Sequence, residues 1–273
     1  MTKPDSFDGY DKAASQRAIR SCRYIAHHLG DLKQELILMG GMVPTVLIDS
    51  SELPPGVDAH VGTMDVDLGL ILAHQSLDRL ENTKASLSEI GFTAHPTESA
   101  RMRHKDSEGN IVVVDLLCGG EAPTDQPSVV VPRIADHVEM AFLDSLSIQL
   151  NGPATDGTEV TTSMNVCGPG AFVLSKASTF AHRRENKDAY DLFFMLQYFD
   201  TGPASVLTHL APLLQSDAGR RALNDLETEF ADHDADGPTA VARFITNESN
   251  DEIRADVSGA VRSLLGPLGG AGP

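Results

Sequence analysis

Two apolar runs with acids set into them constrain this chain more than any other feature. The first, Val66 to Leu72, is opened by Asp65 and Asp67, about two dozen residues after Met39-Gly40-Gly41-Met42. The second, Ile111-Val112-Val113-Val114-Asp115-Leu116-Leu117-Cys118, follows the turn Ser107-Glu108-Gly109-Asn110. Such β-branched, apolar runs read as strands, the second reached through a hairpin spanning Met102 to Cys118. Side chains on a strand alternate between faces, so positions 65 and 67 point the same way. Two carboxylates on one face repel each other unless a cation lies between them, and Mg²⁺ favours oxygen ligands. The plain alternative is a solvated loop pair.

Acids are common here, 39 of 273 residues, so the spacing also arises by chance, as at Asp225/Glu227 and Asp232/Asp234. The pair at 65 and 67 differs because it follows a glycine pair and opens an aliphatic run. Asp115 adds a third carboxylate in a run that reads as buried. Burying a lone charge is costly, so Asp115 requires a metal ion, a basic partner or a raised pKa. A structural Asp capping the next turn is the bland alternative.

Around these strands the patterning is mixed. Tyr10 to Leu29 and Leu77 to Ile90 read as helices closed by Gly30 and Gly91, and Leu36 to Met39 as a short strand running into Gly40-Gly41. Val43 to Ile48 begins a helix that tolerates Pro44 in its first turn. Ser50 to Gly62 and Gly119 to Pro132 read as loops, and Asp144 to Leu150 and Glu159 to Val166 as strands. Beyond Gly168-Pro169-Gly170 helical patterns dominate, over roughly 170–185, 187–199, 203–215, 218–231, 238–246 and 251–265, with a frayed end from Gly266. The expected fold class is therefore α/β (α+β), with a boundary near 155–168 between a sheet-bearing domain, 1–160, and a helical domain, 161–273.

Composition narrows the function. A net charge of -18 argues against sequence-independent nucleic-acid binding, which needs a basic surface, but leaves room for a local basic pocket. No stretch of eighteen apolar residues suggests a membrane span, and Met1-Thr2-Lys3-Pro4-Asp5 carries no apolar signal segment, so a cytoplasmic location is expected. Cys22, Cys118 and Cys167 are far apart and lack paired-ligand spacing, which points to reduced thiols rather than a zinc site.

Against the acidic background, Ser175 to Leu192 stands out. At 100° per residue on one helix, Lys176, Arg183 and Lys187 fall within about 40° of one another. Three cations on one stripe repel, and a triphosphate would relieve them. Asp188 and Asp191 are placed to pair with them. The stripe holds only if the helix continues through Glu185-Asn186, and a solvated charged face is the competing reading.

Taken in order, Gly40-Gly41, Thr63-Met64-Asp65-Val66-Asp67, Asp115, Lys176, Arg183, Lys187-Asp188 and Asp191-Leu192 resemble the pattern of DNA polymerase β-like nucleotidyltransferases. The likeness is closest to the AbiEii/AbiGii (MenT-like) toxins of bacterial toxin–antitoxin systems, and it spans about residues 36–195. It implies a nucleotidyltransferase fold with a mixed sheet, followed by a helical domain contributing the basic stripe. Gly40, Gly41 and Thr63 would approach the nucleotide. Asp65, Asp67 and Asp115 would bind Mg²⁺, with a two-metal site as one form, and Asp115 would activate the acceptor. Lys176, Arg183 and Lys187 would hold the triphosphate. Asp191 would orient these cations, and Asp188 would orient them or assist the reaction. The implied substrate is an NTP (ATP, GTP or CTP). The implied acceptor is the 3′ end of tRNA, with small-molecule and protein hydroxyls, or non-catalytic NTP binding, as alternatives. A cognate antitoxin is the implied partner. The chain departs from the pattern at Gly41, where many members carry Ser, and at Val61, where many carry Arg, with His60 beside it.

Other signals carry less. Asp232-His233-Asp234-Ala235-Asp236-Gly237 imitates the start of a calcium loop, but its twelfth position is Arg243, a cation in place of the bidentate Glu. His27-His28 diverge by about 100° on a helix and are poor co-ligands. Gly168-Pro169-Gly170 lacks the Lys-Ser/Thr of a phosphate-binding loop and reads as a helix start.

Overall fold

A computed structural model describes residues 4–10, 12–62, 65–72, 78–98, 100–106, 108–120 and 132–269. The expected loop over 119–132 lies mostly outside these residues, as does Thr63. The chain divides into two compact units. One comprises Lys12–Val43 and Gly62–Cys167. The other comprises Met1–Asp11, Pro44–Val61 and Gly168–Pro273. The division is thus not a single cut near residue 160, which falls inside a strand, Glu159–Cys167.

The first unit is mixed α/β. Its elements in order are α1 (Lys12–His28), β1 (Ile37–Met39), a short α2 (Val43–Leu47) that runs on into the other unit, β2 (Asp65–Leu72), α3 (Asp78–Glu89), β3 (Thr93–Ala94), β4 (Arg101–Lys105), β5 (Ile111–Gly120), α4 (Pro132–Leu143), β6 (Ser145–Pro153) and β7 (Glu159–Cys167). The strands form one seven-stranded sheet in the order β3-β4-β5-β2-β1-β7-β6. The sheet is mixed, with β2–β5 and β1–β7 parallel and the other neighbours antiparallel.

Register gives the sheet two unlike faces. Leu116, Leu68, Leu38 and Val166 lie side by side in one row and are all buried. Helix α1 covers this face: Thr162, on the same side of β7 as Val166, donates its hydroxyl to the Ala26 carbonyl, and Ala18, Cys22, Ile25 and Ala26 are buried. On the other face lie Asp65, Asp67 and Gly69 of β2 and Asp115, Leu117 and Gly119 of β5. Helix α4 packs there, over the glycines. A Cβ on Gly119 would stand 2.8 Å from Val138 Cγ1, and one on Gly69 would stand 2.6 Å from Met39 Sδ and 3.4 Å from Val138. Helix α4 was not anticipated, although Pro132 at its first position and Ile134, Val138 and Ala141 at helical spacing mark it.

The second unit is helical: α5 (Pro169–Arg183), α6 (Asn186–Tyr198), α7 (Pro203–Thr208), α8 (Asp217–Phe230), α9 (Asp236–Thr246) and α10 (Asp251–Gly269). The helix expected over 203–215 is broken, α7 being followed by a separate 3-10 turn at Leu213–Gln215. At the other end α10 passes Gly266 and includes Pro267. Residues 44–61 join this unit through an aromatic core. Val61, Tyr190, Phe194 and Phe244 are buried together, with Phe7, Tyr10, Ile48, Leu53, Val57 and Tyr198 packed around them. The calcium-like stretch is a turn between α8 and α9 in which Asp234 pairs with Arg254 at 2.6 Å.

Because Gly119 leaves no room for a Cβ beneath α4, Gly119→Ala is expected to lower unfolding free energy by about 1–3 kcal/mol. A urea denaturation series reads this as a lower midpoint at unchanged slope.

Candidate functional site

Each unit carries one cluster of the residues singled out by the sequence. In the sheet unit the carboxylates share a face. Asp67 is the lateral neighbour of Asp115 in the parallel β2–β5 ladder, and Asp65, two residues before Asp67, points the same way. All three are half-buried, whereas Val66, Leu68, Val114 and Leu116 on the opposite face are buried.

Gly40 closes on this row. It follows β1, whose Met39 pairs with Asp67, and opens a 3-10 turn, Gly40–Met42, that leads into α2. Its φ of +70° is one that L side chains rarely adopt, and a Cβ there would lie 1.8 Å from Asp67 Oδ2. The glycine is therefore required both by its backbone and by the carboxylate against it. Gly41 is buried in the same turn.

Asp115 has a basic partner, one of the three forms of compensation its setting demanded. Arg101 Nε donates to Oδ1 at 2.6 Å and Nη2 to Oδ2 at 2.8 Å. The third nitrogen, Nη1, meets Glu98 at 2.7 Å. The Asp115 hydrogen bonds, with the Asp115, Glu98 and Asp65 charges, raise the Arg101 pKa against the opposing effect of burial. Arg101 was overlooked, but its signal was present. Lys105 and Ile111 close the hairpin, so stepping four residues outward on each strand places Arg101 opposite Asp115.

Among the described residues no group of three or more His, Cys, Asp or Glu is arranged to hold an ion. Asp65 and Asp67 offer two oxygen-bearing groups on one face. Asp115 as it stands has both oxygens on Arg101. The face thus brings the Asp65 and Asp67 carboxylates to one side of the sheet, with the third carboxylate already held by Arg101.

The helical unit holds the cations, and there the single stripe is corrected. Helix α5 ends at Arg183, because Arg184 takes a left-handed conformation at φ 56° and donates its N–H to Phe180. Lys187 therefore lies on α6, and the three cations meet through carboxylates rather than along one helix. Asp188 accepts from Lys176 Nζ at 2.8 Å and from Arg183 Nε and Nη2 at 2.5 and 2.8 Å. Asp191 pairs with Lys176 at 2.7 Å and with Lys187. The cluster is not a solvated face: Asp188, Asp191 and Lys187 are buried, and Arg183 is the most open at 39% side-chain exposure.

His60 and Thr45 complete this network. His60 Nε2 lies 2.8 Å from Asp191 Oδ1, and Nδ1 lies 2.9 Å from Thr45 Oγ1. An ionised carboxylate only accepts, so Nε2 carries the proton and Nδ1 accepts from the Thr45 hydroxyl. The ring stacks on Tyr190 at 5.5 Å and 8°. Lys187 Nζ sits 5.4 Å from the ring centres of both Tyr10 and Tyr190. The sequence named His60 only as a residue beside a departure, and nothing local marks its link to Asp191, 131 residues away.

The electrostatics follow from burial and pairing. Burial and the Lys187 charge push His60 down to about 4 against its bond to Asp191, so the ring is neutral at physiological pH. Burial lowers Lys187 to about 8, with Asp191 opposing and Lys176 reinforcing the drop. Lys176 moves up instead, since Asp188 and Asp191 together outweigh its burial. Burial would raise both carboxylates, but Lys176 with Arg183 holds Asp188 low, and Lys176 with Lys187 holds Asp191 low. Asp188 and Asp191, with Glu185 3.8 Å from Arg183, offset the three cations, of which Arg183 is the most exposed.

His60 binds fewer protons folded than unfolded between its folded pKa near 4 and its ordinary value near 6.5, so its contribution to stability falls as pH drops through that window. The loss is on the order of 3 kcal/mol at most. Urea midpoints at pH 7 and pH 4.5 are expected to diverge more for the native chain than for His60→Gln, which keeps both hydrogen bonds but does not titrate. A scan against models of known protein families and a search of curated proteins find no match to this chain.

Proposed function

We propose that the protein is a Mg²⁺-dependent nucleotidyltransferase that moves NMP from an NTP to an acceptor hydroxyl. The observation that carries this reading is the Gly40 turn closed on Asp67, with Asp65 and Asp115 on the same face. Nucleotidyl transfer asks little covalent chemistry of a protein; positioning and charge neutralisation supply most of the catalysis. A turn without a side chain at Gly40, opening a helix, suits the approach of a phosphate to backbone N–H groups. Asp65 and Asp67 would hold the ion, which supplies charge neutralisation and a lowered pKa for the acceptor hydroxyl. Asp115, fixed by Arg101, adds a positioned acceptor group beside them.

Each unit carries its own part of the reading. In the helical unit, Lys176, Arg183 and Lys187 are the triphosphate-binding residues that the resemblance implies. Because Asp188 and Asp191 already offset most of their charge, Arg183 is the one best placed to meet a phosphate, and Lys176 and Lys187 act by holding the network in register. Asp188 is read as the anchor of Arg183 and Lys176 rather than as a proton acceptor, since two cations already hold it. For the acceptor we favour the 3′ end of a tRNA in a toxin–antitoxin setting. Small-molecule or protein hydroxyls are the alternatives, to be separated by incubating the chain with labelled NTPs and each acceptor pool in turn. The internal pairing of the cations favours one second reading, a module that binds NTP without turnover.

Pyrophosphate release from the four NTPs, with and without Mg²⁺, tests the reaction. Asp67→Ala is expected to reduce it at least about 100-fold with the fold retained. Arg183→Ala is expected to raise the apparent KM for NTP more than it lowers kcat. Unchanged turnover in folded Asp67→Ala contradicts the proposal, and NTP binding without pyrophosphate release in the native chain selects the second reading.

A further inference from the structure

We propose that Arg101 is the resident cation of Asp115, so that the carboxylate face accepts a single divalent ion at Asp65 and Asp67 rather than two. The inference rests on the metal-dependent reading above and specifies the stoichiometry of that site.

Three observations carry it. The first is geometric. Both Asp115 oxygens are taken in a bidentate, planar match with Arg101, at 2.6 and 2.8 Å, the strong form of a carboxylate–guanidinium pair. A metal at Asp115 would have to remove at least one of these bonds. The second is the scaffold. Arg101 and Asp115 are directly paired residues of the β4–β5 hairpin, and the remaining guanidinium nitrogen is held by Glu98 at 2.7 Å. All three nitrogens are thus engaged, and the fork is fixed by the ladder and not by a flexible loop alone. The third is electrostatic. A second divalent ion beside Asp115 would face the guanidinium at close range, where like charges repel most strongly.

Arg101 accordingly does fixed what a second ion would do bound. It holds Asp115 in one orientation through two hydrogen bonds. Asp115 then serves as the anchor of Arg101 and not as a metal ligand.

Crystals of the full chain soaked in Mn²⁺ test this, because anomalous difference maps count ions locally on a protein with 39 acidic residues. The expected result for the native chain is one peak within bonding distance of Asp65 and Asp67 and none at Asp115. Arg101→Ala is expected to gain a second peak at Asp115, and Arg101→Ala with Asp115→Asn to lose it again. Should Arg101→Ala fail to fold, Arg101→Gln removes the charge while keeping a donor, and the same second peak is expected. A native peak ligated by Asp115, or no second peak in any folded Arg101 variant, overturns the inference while leaving the metal reading in place. Absence of any peak at Asp65 and Asp67 overturns both.

Discussion

Charge that is half or wholly withdrawn from water has to be answered on the spot, and both clusters in this protein are organised by that requirement. A carboxylate in such a place is stable only beside a cation, a donor or an ion. Asp115 is answered by Arg101, and Asp188 and Asp191 by Lys176, Arg183 and Lys187. Asp67 lies so close to the Gly40 turn that a Cβ there would stand 1.8 Å from its Oδ2. The row of Leu116, Leu68, Leu38 and Val166 is buried with α1 against that face, while α4 packs over the glycines of the other face, where Asp65, Asp67 and Asp115 are half-buried.

In the helical unit the rule runs deeper. Asp191 draws in His60, and His60 draws in Thr45, so that a segment preceding the sheet's second strand is tied to α6 by hydrogen bonds as well as by the Tyr190–Phe194–Phe244 core. The neutral ring and the depressed Lys187 show that burial has gone far enough to move protonation equilibria. The cluster's most exposed cation is Arg183, which is the arrangement expected if an anion is met by one presented guanidinium backed by fixed lysines.

The local patterns were legible in the sequence and the long-range partners were not. The strand of Asp65 and Asp67, the hairpin of Asp115 and the helices of the second half follow from periodicity and from Gly and Pro punctuation. Arg101 was recoverable from hairpin register alone. The break after Arg183 was foreseeable only as a condition, since a left-handed Arg184 has no strong residue signal. The joining of residues 44–61 to the helices depends on where Val61 and Val57 find aromatic neighbours more than a hundred residues away, and no local pattern encodes that. The shortfall at the metal trio has the same origin. Three acids at the right positions looked equivalent, whereas register gave one of them an arginine.

Under the proposed function, the face bearing Asp65 and Asp67, closed by Gly40, is where a divalent cation binds. Paramagnetic broadening of backbone amide signals by substoichiometric Mn²⁺ tests it in solution. The account predicts that the amides of Gly40, Gly41, Asp65 and Asp67 broaden first, ahead of those in the acidic turn at Asp232 to Asp236. Broadening confined to that turn, with Gly40 and Asp67 unaffected, would contradict it.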